Sequence, residues 1–203
     1  MTCLTDPEPT VAELSLFHRI YTKTVQLLHR DGEVQPVAFF RAGEHPRLQG
    51  PTKGMIVPVG MDMPGSDVGK DAIAEVLRHL VKDLDADLVL MALESWMVKP
   101  SPEEAEYWKK EGCFQVMPSK HPNRIEIVFF TMSKPTGDNW STWVEIHRDH
   151  NGKPSIPEHP PKLEYLKSGG RFGNLFEADV AAAVQQEVPI KIVGGVTHGT
   201  SNN

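Results

Sequence analysis

The sequence is poor in cysteine and lacks long apolar runs. Cys3, in a predicted tail, and Cys113 are the 2 cysteines among 203 residues, and one such distant pair would be an unusual disulfide framework for this length. No apolar run approaches the roughly 20 residues that a membrane span needs. The N-terminus has acids and prolines where a signal peptide has basic and then apolar residues. We therefore expect reduced thiols, a soluble protein, no membrane partner and a cytoplasmic location.

The sequence also lacks an excess of basic residues and the common catalytic motifs. The formal net charge is −6, and lysines and arginines are scattered among acids, so the overall field repels phosphate backbones and disfavours nucleic acid as the main partner. GxxxxGK[ST], GxGxxG, GxSxG, HExxH and CxxC are all missing, which removes the usual signatures of nucleotide-binding, hydrolytic and redox enzymes.

What remains is the composition of a folded protein, with 39% hydrophobic and 24% charged residues. We predict one α+β core domain over residues 10–157, preceded by a disordered tail at 1–9. A Pro/Gly-rich extension follows at 158–203, with a short helix at 177–187 and a disordered C-terminus from 196. The predicted fold is a mixed, mainly antiparallel sheet with two main helices and this irregular C-terminal extension.

The helices are marked by periodicity and by their ends. Thr10 and Glu13 have the spacing of a capping box, and Gly32 supplies a stop, which predicts a first helix between them. The apolar stripe over 67–84 predicts a second helix, and PEEAEYWKKE at 102–111 predicts a short exposed one.

The strands are marked by apolar runs between turn residues. Residues 34–41 and 54–59 each contain a proline, which predicts edge strands or bulges. The run at 87–98 is apolar at almost every position and predicts a central strand. Residues 125–132 and 141–148 predict a hairpin, and Asn151-Gly152 predicts a further turn into a brief strand near 153–156.

The segment EIHRDHNGKP is the densest cluster of chemically capable side chains. On a strand, Glu145, His147 and Asp149 would share one face, and His150 would lie at the following turn. Carboxylate and imidazole groups that converge in this way predict a divalent metal site. The competing interpretation is that a hairpin end in water collects polar residues in any case.

The order of several residues beyond this point resembles the landmarks of the HNH nucleases. The residues that carry the resemblance are Asp149-His150, Pro154, Gly169-Gly170 and Asn174-Leu175. The resemblance implies a ββα metal finger and a nuclease activity. That family also has a metal-binding histidine on the helix after the asparagine, whereas residues 176–187 contain no histidine.

Glu94 is the second candidate, because it interrupts the apolar run LVLMALESWM, where an ionised carboxylate is costly unless it is paired or wet. It is interpreted either as a general acid or base beside Trp96 or as one half of an ion pair with Arg124 in the next strand.

The first functional hypothesis is a non-catalytic or regulatory domain that acts by protein binding or self-association. Trp140, Trp143 and the long loops near residues 43–65 and 151–173 are its candidate contacts, and no cofactor is predicted for it. The alternative is a metal-dependent hydrolase, with an HNH-like nuclease as its narrowest version. Its catalytic residues would be Glu94 and His147, and Glu145, His147, Asp149 and His150 would bind the divalent metal.

Overall fold

The computed structural model of the chain describes residues 6–44, 53–111, 116, 118–166, 175–176 and 190–192. Within them, the helices are α1 (Val11–Asp31), α2 (Asp67–Asp83) and α3 (Pro102–Glu111), and a 3-10 turn spans Pro118–Lys120. The strands are β1 (Val37–Arg41), β2 (Ile56–Met61), β3 (Leu88–Val98), β4 (Arg124–Ser133), β5 (Asn139–Glu145), β6 (His147–Arg148), β7 (Pro154–Ser155), β8 (Glu164–Leu166) and β9 (Ile190–Ile192). The predicted α+β class is confirmed.

The main sheet has the order β8-β5-β4-β3-β1-β2-β9, and all neighbouring strands in it are antiparallel. β6 and β7 form a separate two-stranded ladder. β3 occupies the centre of the main sheet, as its apolar run predicts. β2 and β3 lie on either side of β1 and run in the same direction, so the connection between them has to cross the sheet, and α2 makes that crossing.

Alternate residues of the central strands face two different helices. Leu90 and Val128 belong to an apolar cluster with α1, whereas Val89 and Met91 belong to a second cluster with α2. Because successive side chains of a strand point to opposite faces, α1 and α2 lie on opposite faces of the sheet. The central part of the sheet is therefore buried on both sides.

α1 begins and ends where the sequence predicts. The hydroxyl of Thr10 accepts a hydrogen bond from the backbone N–H of Glu13, and the carboxylate of Glu13 accepts one from the backbone N–H of Thr10. At the other end Gly32 has a φ of +83°, and its N–H donates to the carbonyl of Leu28. Glycine adopts this left-handed conformation without the steric cost of a Cβ, so the helix ends there.

Aromatic side chains hold α1 against β4. The ring of Phe17 packs edge-on against Phe130 with centroids 5.6 Å apart, and Tyr21 lies 5.4 Å from the same ring. The hydroxyl of Tyr21 donates to the carbonyl oxygen of Pro157 at 2.6 Å, and burial raises the pKa of Tyr21 to about 12. One helix is therefore joined both to the sheet and to the segment that follows β7.

The prediction that the two proline-containing strands lie at the edge or carry a bulge was wrong for β1. β1 lies between β2 and β3 and pairs without interruption along its five residues. Pro36 precedes it and therefore costs the ladder no donor. Pro58 does lie inside β2, but the pairing with β9 covers only Val59–Met61, so the missing N–H falls outside that ladder.

The helix predictions within the described residues are confirmed, but the strand predicted at 141–148 is divided, because β5 ends at Glu145 and β6 pairs with β7 in the separate ladder. β4 and β5 form the predicted hairpin, and the turn at Asn151-Gly152 leads into β7, with Gly152 at a φ of +77°. The predicted helix at 177–187 and the C-terminus from 196 lie outside the described residues. The domain limits remain predictions, although β8 of the predicted extension pairs with β5 in the main sheet. No helix in the described part of the chain combines the length and apolarity that crossing a bilayer requires.

Candidate functional site

The predicted metal ligands lie at the end of β5 and in the β6–β7 hairpin, and two of them have structural partners. Glu145 forms an ion pair with Nζ of Lys99 at 3.0 Å, and this lysine holds the pKa of Glu145 below its usual range. Oδ1 of Asp149 accepts hydrogen bonds from the backbone N–H groups of Asn151, at 2.8 Å, and Lys153, at 2.9 Å. This aspartate therefore stabilises the turn that it precedes.

The two histidines of the cluster are exposed. Nε2 of His150 lies 3.0 Å from the side-chain nitrogen of Asn151, and His147 lies in β6 opposite Ser155. Among the residues that the structure describes, no three His, Cys, Asp or Glu side chains are grouped so that they could hold a metal ion. The metal site remains a prediction.

Glu94 lies half-buried on the α1 side of β3, just beyond the end of α1. Its carboxylate accepts a hydrogen bond from the backbone N–H of Val34 at 2.8 Å. Burial raises the pKa of Glu94, and the nearby carboxylates of Glu126 and Glu33 act in the same direction, whereas the Val34 N–H and Arg148 oppose them. Within the described residues, no hydrogen bond joins Glu94 to His147, the other predicted catalytic residue.

The predicted ion pair between Glu94 and Arg124 was wrong. In the antiparallel register Glu94 is opposite Val128, whereas Arg124 is opposite Val98, four residues further along β3. The guanidinium of Arg124 lies 5.0 Å from the ring centroid of Trp96, in a cation–π contact. The sequence places both charges in neighbouring strands but does not contain their register.

Arg148 provides the main charge partner in this region. Its guanidinium binds both carboxylate oxygens of Glu126, at 2.7 and 2.8 Å, and also donates to the carbonyl oxygens of Gly32 and Gly152. A two-pronged contact of this kind fixes orientation as well as charge. Arg148 therefore joins the end of α1 to β4 and to the turn before β7.

A second histidine–carboxylate pair was not predicted. Nε2 of His121, a residue 5% exposed, lies 2.9 Å from Oε1 of Glu104. Nδ1 accepts a hydrogen bond from the backbone N–H of Asn123 at 3.1 Å, which assigns the ring hydrogen to Nε2. Both ring nitrogens of His121 are therefore engaged within the fold.

Glu104 is fixed from its other side by the cap of α3. Its carboxylate accepts from the backbone N–H of Ser101, whose hydroxyl accepts from the N–H of Glu104. The Ser101 N–H and the imidazole of His121 together hold the pKa of Glu104 below its usual range. The Ser-x-x-Glu spacing indicates the cap, but no sequence signal places His121 beside it. The whole arrangement is structural.

An open groove of about 710 Å³ lies where residues 6–9, the first two turns of α1 and residues 160–165 meet over Trp140. We call it the proline groove, because Pro7, Pro9, Pro160 and Pro161 line it. Its sides come from the predicted tail and the predicted extension. Residues 160–165 belong to one of the long loops that were predicted as contacts, whereas no site was predicted in residues 6–9. The pairing of the two segments depends on contacts that are distant in the chain.

Trp140 forms the base of the proline groove and holds its sides together. It is 1% exposed, so the prediction that it is a surface contact was wrong. Its indole N–H donates to the carbonyl oxygen of Pro7 at 3.0 Å. In the sheet it pairs with Tyr165 of β8, whose ring packs edge-on at 5.9 Å between centroids. Both sides of the groove are thereby positioned without a ligand.

The exposed rim of the proline groove is acidic. Asp6, Glu8 and Glu164 stand against a single basic residue, Lys162. Within the described part of the chain, none of the three acids forms an ion pair. Burial raises the pKa of Tyr165, and Asp138 and Asp6 act in the same direction, which is the effect expected of a negative local field.

A buried carboxylate lies close to Trp140, beneath the proline groove. Glu13, 2% exposed, pairs with Nζ of Lys134 at 3.0 Å, and that ammonium also lies 5.7 Å from the ring centroid of Trp140. Burial acts to raise the pKa of Glu13. The backbone N–H of Thr10 and the ammonium of Lys134 outweigh burial and hold this pKa below its usual range. The start of α1 is thus tied to the end of β4.

Trp143, the other predicted contact, is 43% exposed. It lies on the opposite face of the sheet from Trp140, because the two are an odd number of residues apart in β5. In the register it is beside Phe129, which is in turn beside Leu93.

No family model, no curated protein and no solved structure matches this chain. The geometry of its own residues therefore carries the functional proposal.

Replacement of Glu94 by glutamine should raise the free energy of unfolding at neutral pH. Glutamine keeps an oxygen for the Val34 N–H and removes a charge that burial disfavours. A raised folded-state pKa means that stability falls as pH rises through the ordinary glutamate range, so the gain should vanish in acid. Denaturant melts at several pH values measure this change.

The matched control is Glu145→Gln, because the pKa of Glu145 is shifted the other way. Its stabilising contribution is present above the ordinary glutamate pKa and is lost as pH falls, so this substitution should be neutral or destabilising at neutral pH. A loss of stability in Glu94→Gln would contradict the account of Glu94.

Addition of Zn²⁺ or Mn²⁺ should leave the melting temperature unchanged, because Glu145 and Asp149 already have structural partners. Metal present at one hundred times the dissociation constant of a real site would add about 2.7 kcal/mol to the free energy of unfolding. Thermal melts with and without metal measure the effect. A clear rise that His147→Ala abolishes and His29→Ala retains would restore the metal-dependent hydrolase.

Proposed function

We propose that this chain is a non-catalytic domain that binds a protein partner through a segment seated in the proline groove. One observation carries the proposal: an open groove of about 710 Å³ over the buried side chains of Trp140 and Phe17, with sides held in place by internal contacts. Because the sides of the groove are already in place, binding does not include the free-energy cost of ordering them. Grooves lined by aromatic side chains are used elsewhere to bind extended peptide segments, and Tyr165 lines this one.

The residues of the hydrolase alternative support it less well. The carboxylates of Glu94, Glu145 and Asp149 each accept or pair within the fold. A catalytic group has to reach its substrate, and neither Glu94 nor His147 lines the proline groove. The alternative therefore depends on the metal experiment above.

The charge of the chain favours a different protein over a second copy. A second copy would bring its own net charge of −6 to an acidic rim, which works against self-association. The same charge disfavours nucleic acid. With two cysteines in the whole chain, a cytoplasmic partner is the one that fits the composition best.

Selection from a random displayed peptide library tests the proposal. Selected peptides should compete for one site, and His18→Trp should weaken them at least about tenfold, or about 1.4 kcal/mol, because a larger ring fills the groove. His18 is exposed and lines the groove.

The matched control is His29→Trp, since His29 is exposed on the same helix but lies two or more turns away from the groove. It should leave affinity unchanged. If the library yields no competing peptides, or if their affinities ignore His18→Trp, the proposed function is wrong.

A further inference from the structure

The side chains and prolines of the proline groove offer more hydrogen-bond acceptors than free donors. Proline has no backbone N–H, so Pro7, Pro9, Pro160 and Pro161 contribute only carbonyl oxygens. Two side-chain donors at the groove are already used within the fold. The indole N–H of Trp140 donates to Pro7, and the hydroxyl of Tyr165 lies 3.4 Å from Oδ1 of Asp138.

The ionised groups increase this imbalance. The carboxylates of Asp6, Glu8 and Glu164 are acceptors without donors, whereas Lys162 and the ring of His18 are the donor side chains left at the rim. The basic residues Arg19 and Lys23 do not line the groove but a neighbouring depression along α1, which shares Leu14 and His18 with it. The charges closest to a segment bound at the rim are therefore mainly negative.

We infer that the segment recognised by the proline groove is cationic, with lysine or arginine side chains whose stems lie on the prolines and Tyr165 and whose charged ends reach Asp6, Glu8 and Glu164. This inference rests on the proposed function and names the partner's chemistry. Lysine and arginine bring only donors, which an acceptor-rich rim requires. Their alkyl stems cover apolar surface while the charge stays wet.

The fold itself contains an example of this contact. Nζ of Lys134 lies 5.7 Å from the ring centroid of Trp140 while it pairs with the carboxylate of Glu13. An ammonium that is held between an aromatic ring and a carboxylate gains from both groups. The partner's lysine or arginine would reproduce the combination with Tyr165, which is partly exposed, and a rim acid.

Two labelled peptides of equal length and equal leucine content test the inference, one with lysine and the other with glutamate at the remaining positions. Fluorescence anisotropy measures their affinities at about 0.1 M and about 1 M NaCl, where charges are screened beyond about 10 Å and about 3 Å. At low salt the lysine peptide should bind at least about tenfold more tightly than the glutamate peptide. The difference should shrink at high salt.

The triple variant Asp6→Asn/Glu8→Gln/Glu164→Gln should weaken the lysine peptide about tenfold at low salt and leave the melting temperature unchanged. The control Asp62→Asn/Glu103→Gln/Glu106→Gln removes the same charge from exposed positions that do not line the groove. It should keep the affinity of the wild type.

Equal binding of the two peptides, or equal losses in the two triple variants, would overturn the cationic inference. The proposed function would then stand or fall separately, by whether selected library peptides respond to His18→Trp. If library peptides bind the groove but the lysine peptide does not, the partner class is wrong and the binding site is right. If no peptide of any kind binds, both are wrong.

Discussion

The structure depends on how α1 is held across the antiparallel strands. Phe17 and Tyr21 pack on Phe130 at the middle of the helix, and the buried Glu13 pairs with Lys134 at its start. Removing one partner of a buried charge pair leaves the other uncompensated, which makes such a contact sensitive to position. Because the first turns of α1 form part of the proline groove, the same contacts that stabilise the core also set the width of the proposed binding site.

Local patterns predict most of the elements because their causes are local. The capping box at Thr10 and Glu13, the left-handed stop at Gly32 and the turn at Asn151-Gly152 each depend on residues a few positions apart. The order of the strands and their register are different in kind, since they depend on contacts between residues far apart in the chain. This is why the internal place of β1 and the separation of Glu94 from Arg124 were not predicted.

The candidate site shows the same limit more strongly. Glu145, Asp149 and Glu94 were predicted as site residues because of their side-chain chemistry. In the structure each has a partner within the fold. Sequence spacing identifies that partner only for Asp149, whose hydrogen bonds close a local turn. The proline groove combines segments more than a hundred residues apart, joined by the Trp140–Pro7 hydrogen bond. From the sequence alone, the prolines of the groove were predicted to lie in an irregular tail and an irregular extension. What makes them a site is the sheet that brings them together.

Mapping of backbone and indole N–H signals by nuclear magnetic resonance tests the central claim most directly. The ¹⁵N-labelled chain would be titrated with the leucine–lysine peptide. The account predicts that shift changes concentrate at Asp6 and Glu8, which flank the prolines of that segment, at Leu14 to His18, at the indole N–H of Trp140 and in residues 162–165. Changes centred instead on Glu94, on residues 145–150 or on Trp143 would contradict it, because the binding surface would then lie away from the proline groove.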